Sequence, residues 1–143
     1  MGAWGHGIFE DDTSCDALCE LAECSDIKAE IERMTEELFD CSDDYIEYDT
    51  AQYALAAAAA AYFIADGTDS SFFGEYPPDE MQTIKERFEG TDLTDIIGRC
   101  ASAVRLILGE NSELRELWEE NDELYEDWKG NLTGLAAALD SVS

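Results

Sequence analysis

The run from Ala51 to Ala65 constrains this chain most, because it is apolar at every position except Gln52 and holds alanine throughout 56–61. Alanine has the highest helix propensity and the smallest buried side chain, so neighbouring helices can approach such a segment closely. The run falls short of the roughly 20 residues that cross a bilayer. It therefore predicts a central helix of a folded domain, capped by Asp49 or Thr50 and ended by Asp66-Gly67.

The flanking segments carry apolar residues at helical spacing. Asp11, Asp12 and Thr13 offer cap chemistry for a first helix through Leu18, Leu21 and Ala22 to about Cys24. Ile27, Ile31, Met34 and Leu38 trace a second, with charged residues on its other faces. Asp40 to Asp49 reads as an acidic, solvated connection. Pro77 and Pro78 suit the first turn of a fourth helix through Met81, Ile84, Lys85 and Phe88, and a fifth runs to Leu108 before Gly109. The last segment begins at Asn111 or Ser112 and keeps Leu114, Trp118, Tyr125, Trp128, Leu132, Leu135 and Leu139 in step, with Asn121-Asp122 as a point of fracture. No interval shows strand alternation. The expected fold is all-α, a single compact bundle of about six helices over residues 1–143. A glycine-rich irregular arm, residues 1–11, packs on it through Trp4 and Phe9.

Charge bounds the function. Thirty-five Asp and Glu against eight Lys and Arg leave −27. Such a surface repels nucleic-acid phosphate and anionic membranes and steers basic proteins toward itself. The expected partner is a basic protein, such as a toxin or nuclease, with no direct nucleic-acid or membrane contact. The opening residues lack a basic start followed by an apolar stretch, which points to the cytoplasm. Five cysteines, an odd number, read as thiols in a reducing compartment rather than as a disulfide framework.

Catalytic chemistry finds little to build on. Nucleophilic hydrolysis wants a Ser or Cys beside a base, and the sole histidine, His6, lies in the glycine arm. Cys15 and Cys19, four apart, share a helix face and read as core thiols more readily than as metal ligands with His6 and Cys24. Acidic pairs such as Asp11-Asp12 and Asp43-Asp44 arise by composition, and none fits the twelve-residue calcium loop. The residues imply no metal and no cofactor. Phe72, Phe73 and Tyr76 differ from the other aromatics because they sit in a non-periodic stretch: either they plug the loop into the core, or they protrude as a patch ringed by Asp69, Glu75 and Asp79. Asp43, Asp44, Asp69, Phe72, Phe73, Glu75, Tyr76 and Asp79 are the candidate binding residues.

The opening Gly2-Ala3-Trp4-Gly5-His6-Gly7-Ile8-Phe9-Glu10-Asp11-Asp12, with Ser112-Glu113-Leu114-Arg115-Glu116-Leu117-Trp118-Glu119-Glu120 and Tyr125-Glu126-Asp127-Trp128, resembles the bacterial family called domain of unknown function 4259. Ile8 stands where that family usually has proline, and His6 occupies a variable position. The resemblance implies a small, mostly helical bacterial protein and brings no catalytic residues. It suggests that the Trp4 arm packs against the Trp118 helix, with Trp4, Phe9, Trp118 and Trp128 as structural hallmarks.

Three functions fit these features. The first is a non-enzymatic inhibitor or immunity-type protein that covers the cationic cleft of a basic toxin or nucleic-acid enzyme. The second is a small hydrolase or metal-dependent enzyme using acidic residues. The third is a salt-adapted acidic protein, whose charge serves solubility.

Overall fold

A computed structural model describes residues 12–41, 44–65, 79–88, 90–109, 112–120 and 122–142. They form seven helices: α1 (Asp12–Glu23), α2 (Ile27–Asp40), α3 (Tyr48–Ala65), α4 (Asp79–Phe88), α5 (Thr94–Ile107), α6 (Glu113–Glu119) and α7 (Asp122–Val142). The architecture is all-α. The count exceeds six because the last apolar segment forms two helices, α6 ending at Glu119 and α7 beginning at Asp122. The arm 1–11 and the stretch 66–78, with Trp4, Phe9, Pro77 and Pro78, lie outside the described residues.

The alanine run sits at the centre of the bundle. α3 touches each of the other six helices, most extensively α2, α5 and α1. Ala54 and Ala56 to Ala61 are completely buried on every side of it, with Leu55 and Tyr62 beside them. A helix enclosed all round needs side chains that do not hold its neighbours away, and alanine also loses no rotamer freedom on burial. α5 is the second hub, resting on α2, α3 and α7. Its Ile96, Ile97, Cys100, Ala101, Val104 and Ile107 are buried.

Local chemistry sets the helix ends. Asp26 Oδ1 accepts from Ala29 N at 3.2 Å at the start of α2, and Ser112 Oγ accepts from Arg115 N at 3.3 Å at the start of α6. Arg87 on α4 donates to Ala22 O, satisfying a carbonyl in the last turn of α1. After α4 the chain turns at Gly90, whose φ of +87° favours glycine. Inside the bundle, Thr35 Oγ1 donates to Ile31 O at 2.9 Å and accepts from Arg99 Nε at 2.9 Å, joining α2 to α5. The Arg99 guanidinium also lies over the Phe39 ring, 5.0 Å from its centroid.

The connection before α3 differs from the expected solvated loop. Ile46 is buried and forms an isolated parallel bridge with Ser112, in which Glu113 N donates to Ile46 O at 2.9 Å. The Glu113 carboxylate accepts from Tyr48 N at 2.8 Å, at the start of α3. Backbone pairing over 66 positions of sequence leaves no mark on local periodicity, so the spacing of apolar residues is blind to it.

Candidate functional site

Three helices bring an acidic groove together on one side of α3. Glu37 from α2 and Asp49, Thr50 and Tyr53 from α3 line a cavity of about 190 Å³. Asp16 and Glu20 approach from α1, since both act electrostatically on Tyr53. The arrangement follows from helical spacing. Asp16 and Glu20, Arg33 and Glu37, and Asp49 and Tyr53 are each four residues apart, so each pair shares a helix face.

Tyr53 is the half-buried aromatic wall of this groove. Its burial, followed by the hydrogen bond its hydroxyl makes to the Glu20 carboxylate and the charges of Glu20, Asp16 and Asp49, pushes its pKa up to about 12. The hydroxyl therefore keeps its proton at neutral pH and acts as a donor to Glu20. Arg33 is the cation at the edge, with Nη2 2.9 Å from Glu30 Oε2 and Nη1 3.3 Å from Glu37 Oε1. A ring with carboxylates around it suits a lysine or arginine side chain, since the ring face attracts a cation and the carboxylates accept its hydrogens.

The acidic surface continues past the groove. Asp40, Asp44 and Glu47 surround Cys41 closely enough to act on its thiol, and burial pushes that thiol up from its ordinary value. Asp44 is exposed; Asp43 lies outside the described residues. Farther along, Tyr45, itself exposed, donates its hydroxyl to Glu116 Oε2 at 2.7 Å. That bond, with a smaller contribution from desolvation, pushes Tyr45 up to about 12.

A second cluster forms at the junction of α6 and α7. Trp118 and Trp128 stack with centroids 6.1 Å apart and planes 11° apart, and Tyr125 stacks on Trp128 at 6.1 Å. Trp128 is buried and Trp118 and Tyr125 are half-buried, so the trio packs on the core. Arg115 meets both Tyr125 and Glu119, its Nε 2.6 Å from Glu119 Oε1.

Residues 2–131, a stretch that takes in both the glycine-rich opening and Trp128, match the model of the domain of unknown function DUF4259. The chain belongs to that family. No curated protein and no solved structure matches the chain. Within the DUF4259 domain, the Leu-Trp-Glu segment forms α6, and its tryptophan lies against that of α7.

Among the candidate binding residues of this DUF4259 domain, Asp44 has a described side chain. Asp69, Phe72, Phe73, Glu75 and Tyr76 lie outside the described residues, and Asp79 begins α4 with its side chain outside them. His6 and the side chain of Cys15 lie outside them too. Among the described residues, no three His, Cys, Asp or Glu side chains gather as metal ligands do, and no helix is long and apolar enough to cross a membrane. The thiols of Cys24, Cys41 and Cys100 are all raised by burial, Cys100 to about 12, which keeps them protonated at neutral pH. Sequence reasoning gave Asp49 only as a cap of the alanine helix, which instead begins one residue earlier at Tyr48, and did not single out Glu20, Glu37 or Tyr53. The visible signal was a tyrosine at the polar end of an otherwise apolar run, four residues after an aspartate.

Proposed function

We propose that this DUF4259 domain is a non-enzymatic acidic binding protein of the inhibitor or immunity type, acting in the bacterial cytoplasm. It covers the cationic cleft of a basic toxin or nucleic-acid enzyme. The observation that carries this reading is the groove in which Tyr53 stands among carboxylates from α1, α2 and α3. A net charge of −27 draws a basic partner from a distance, and the groove takes one of its lysine or arginine side chains. Carboxylates on a helical surface imitate the spacing of phosphates, so the same cleft that grips nucleic acid accepts this surface.

Affinity capture from the native cell lysate tests the reading, using the wild-type chain and two variants of equal net charge. Glu37→Lys/Asp49→Lys reverses the groove, and Glu126→Lys/Asp127→Lys reverses an exposed stretch of α7. The expected result is one stoichiometric basic protein, released as salt rises, lost with the groove variant and kept with the α7 variant. Capture that follows net charge alone, equal for both variants, would overturn the groove as the binding site.

A further inference from the structure

The start of α3 is fixed from far along the chain. Tyr48 is the first residue of the helix, and its N–H donates to the Glu113 carboxylate at 2.8 Å, across 65 positions of sequence. The Glu47 carbonyl accepts from Ala51 N at 3.0 Å, so the helical hydrogen bonding begins ahead of Asp49. Asp49 is therefore the second residue of α3, inside the helix rather than at its cap.

The contact belongs to a larger clasp. Glu113 N donates to Ile46 O at 2.9 Å, Ile46 itself is buried, and Tyr45 donates its hydroxyl to Glu116 Oε2 at 2.7 Å. Ser112, also buried, caps α6 through Arg115 N. The segment before α3 and the start of α6 thus form one unit, and the half-buried Glu113 carboxylate is where it meets the backbone of α3.

Local chemistry favours a different start. Aspartate is among the preferred N-cap residues, and as a cap Asp49 would accept from the N–H of Ala51 or Gln52. That would start α3 at Thr50 and turn the Asp49 carboxylate back onto its own backbone. Each start satisfies a first-turn N–H with one carboxylate, Glu113 in one and Asp49 in the other, so the two exchange a hydrogen bond for another of the same kind. Asp49 cannot serve both. Inside the helix it lines the groove and acts electrostatically on the Tyr53 hydroxyl.

We propose that Glu113 is a positioning residue that selects between these two starts of α3. Held by Glu113, the helix begins at Tyr48 and presents Asp49 to the groove. Released, it begins at Thr50 with Asp49 as its cap, and the groove loses its carboxylate from α3. α6 thereby controls the charge of a groove that α2 and α3 line. By linkage, a cation that pairs with Asp49 favours the held state and tightens the contact with α6. The proposal concerns the start of a helix and does not rest on what occupies the groove.

Backbone and Cβ chemical shifts of residues 48–52, together with urea unfolding of the full chain, test it. In Glu113→Ala the shifts of Asp49 are expected to leave the helical range for those of a cap residue. In Glu113→Gln, whose amide oxygen still accepts from Tyr48 N, they should stay helical. Asp49→Ala should lower the folded-to-unfolded ratio by less than about twofold in the wild-type chain and in Glu113→Gln, and by at least about fivefold in Glu113→Ala, where Asp49 has become the cap. The Glu113→Gln background separates loss of the acceptor from loss of the charge. Asp49 shifts that remain helical in Glu113→Ala would overturn the proposal, as would an equal cost of Asp49→Ala in all three backgrounds, or a Glu113→Gln chain that behaves like Glu113→Ala. A Glu113→Ala chain without helical circular dichroism would mean that α3 has no second start, which also overturns it.

Discussion

Trp118 and Trp128 stack almost parallel, 6.1 Å between centroids and 11° between planes, across the break that separates α6 from α7. The contact explains why a tryptophan follows the leucine of α6. It gives a seven-residue helix, too short to be stable by itself, a large apolar partner on the next element. Arg115 and Tyr125 extend the same layer outward.

Removing the buried member of that pair should be costly. Trp128→Ala is expected to destabilise the fold by about 3–5 kcal/mol in urea unfolding, and the half-buried Trp118→Ala by less. A double-mutant cycle should give a coupling of about 0.5–1.5 kcal/mol. Additive losses would mean that each ring packs on the core independently of the other.

Thr35 is completely buried, and its hydroxyl is the acceptor for Arg99 Nε. Thr35→Val keeps the shape but leaves that guanidinium without its partner, and should cost about 1.5–3 kcal/mol. Thr35→Ser, which retains the hydroxyl, should recover most of the loss. Urea midpoints of the three chains check both expectations.

Tyr45 and Tyr53 both titrate near 12 in the folded chain, against an ordinary value of 10. Each holds its proton more tightly folded than unfolded. The stability they add is therefore present below pH 10 and is lost as pH rises toward 12. Absorbance at alkaline pH should show two tyrosines with midpoints near 12. Glu20→Gln should lower the midpoint of Tyr53 and leave that of Tyr45 in place.

Cys100 is enclosed by α5 and its neighbours, with its thiol pushed up to about 12, whereas Cys41 is only partly buried. A thiol reagent at pH 8 should therefore modify Cys41 well before Cys100. Modification of Cys100 should be as slow as opening of the bundle and immediate in denaturant. Mass spectrometry of digested samples taken over time separates the two sites. Equal rates would show that α5 opens locally.

Much of the fold was legible in the chain because its causes are local. The alanine run marks a helix that others can approach from every side, and α3 indeed touches all six. Ile27, Ile31, Met34 and Leu38 trace the buried side of α2, and Ser112 caps α6. The groove was less legible. Tyr53 and Asp49 carry a faint signal at the polar end of the alanine run, but among thirty-five carboxylates nothing in the order of residues selects Glu20 and Glu37 to join them.

The sequence by itself determined the helical class, the central place of the alanine segment and the sign of the field around the protein. These depend on propensity, periodicity and summed charge, which are properties of neighbours or of totals. Only the tertiary structure decided that Ile46 is buried against Ser112, that Tyr53 stands among carboxylates from three helices, and that α5 packs against α7. Those outcomes depend on the angle and register at which helices pack, set by side chains far apart in the chain that meet only when the core closes.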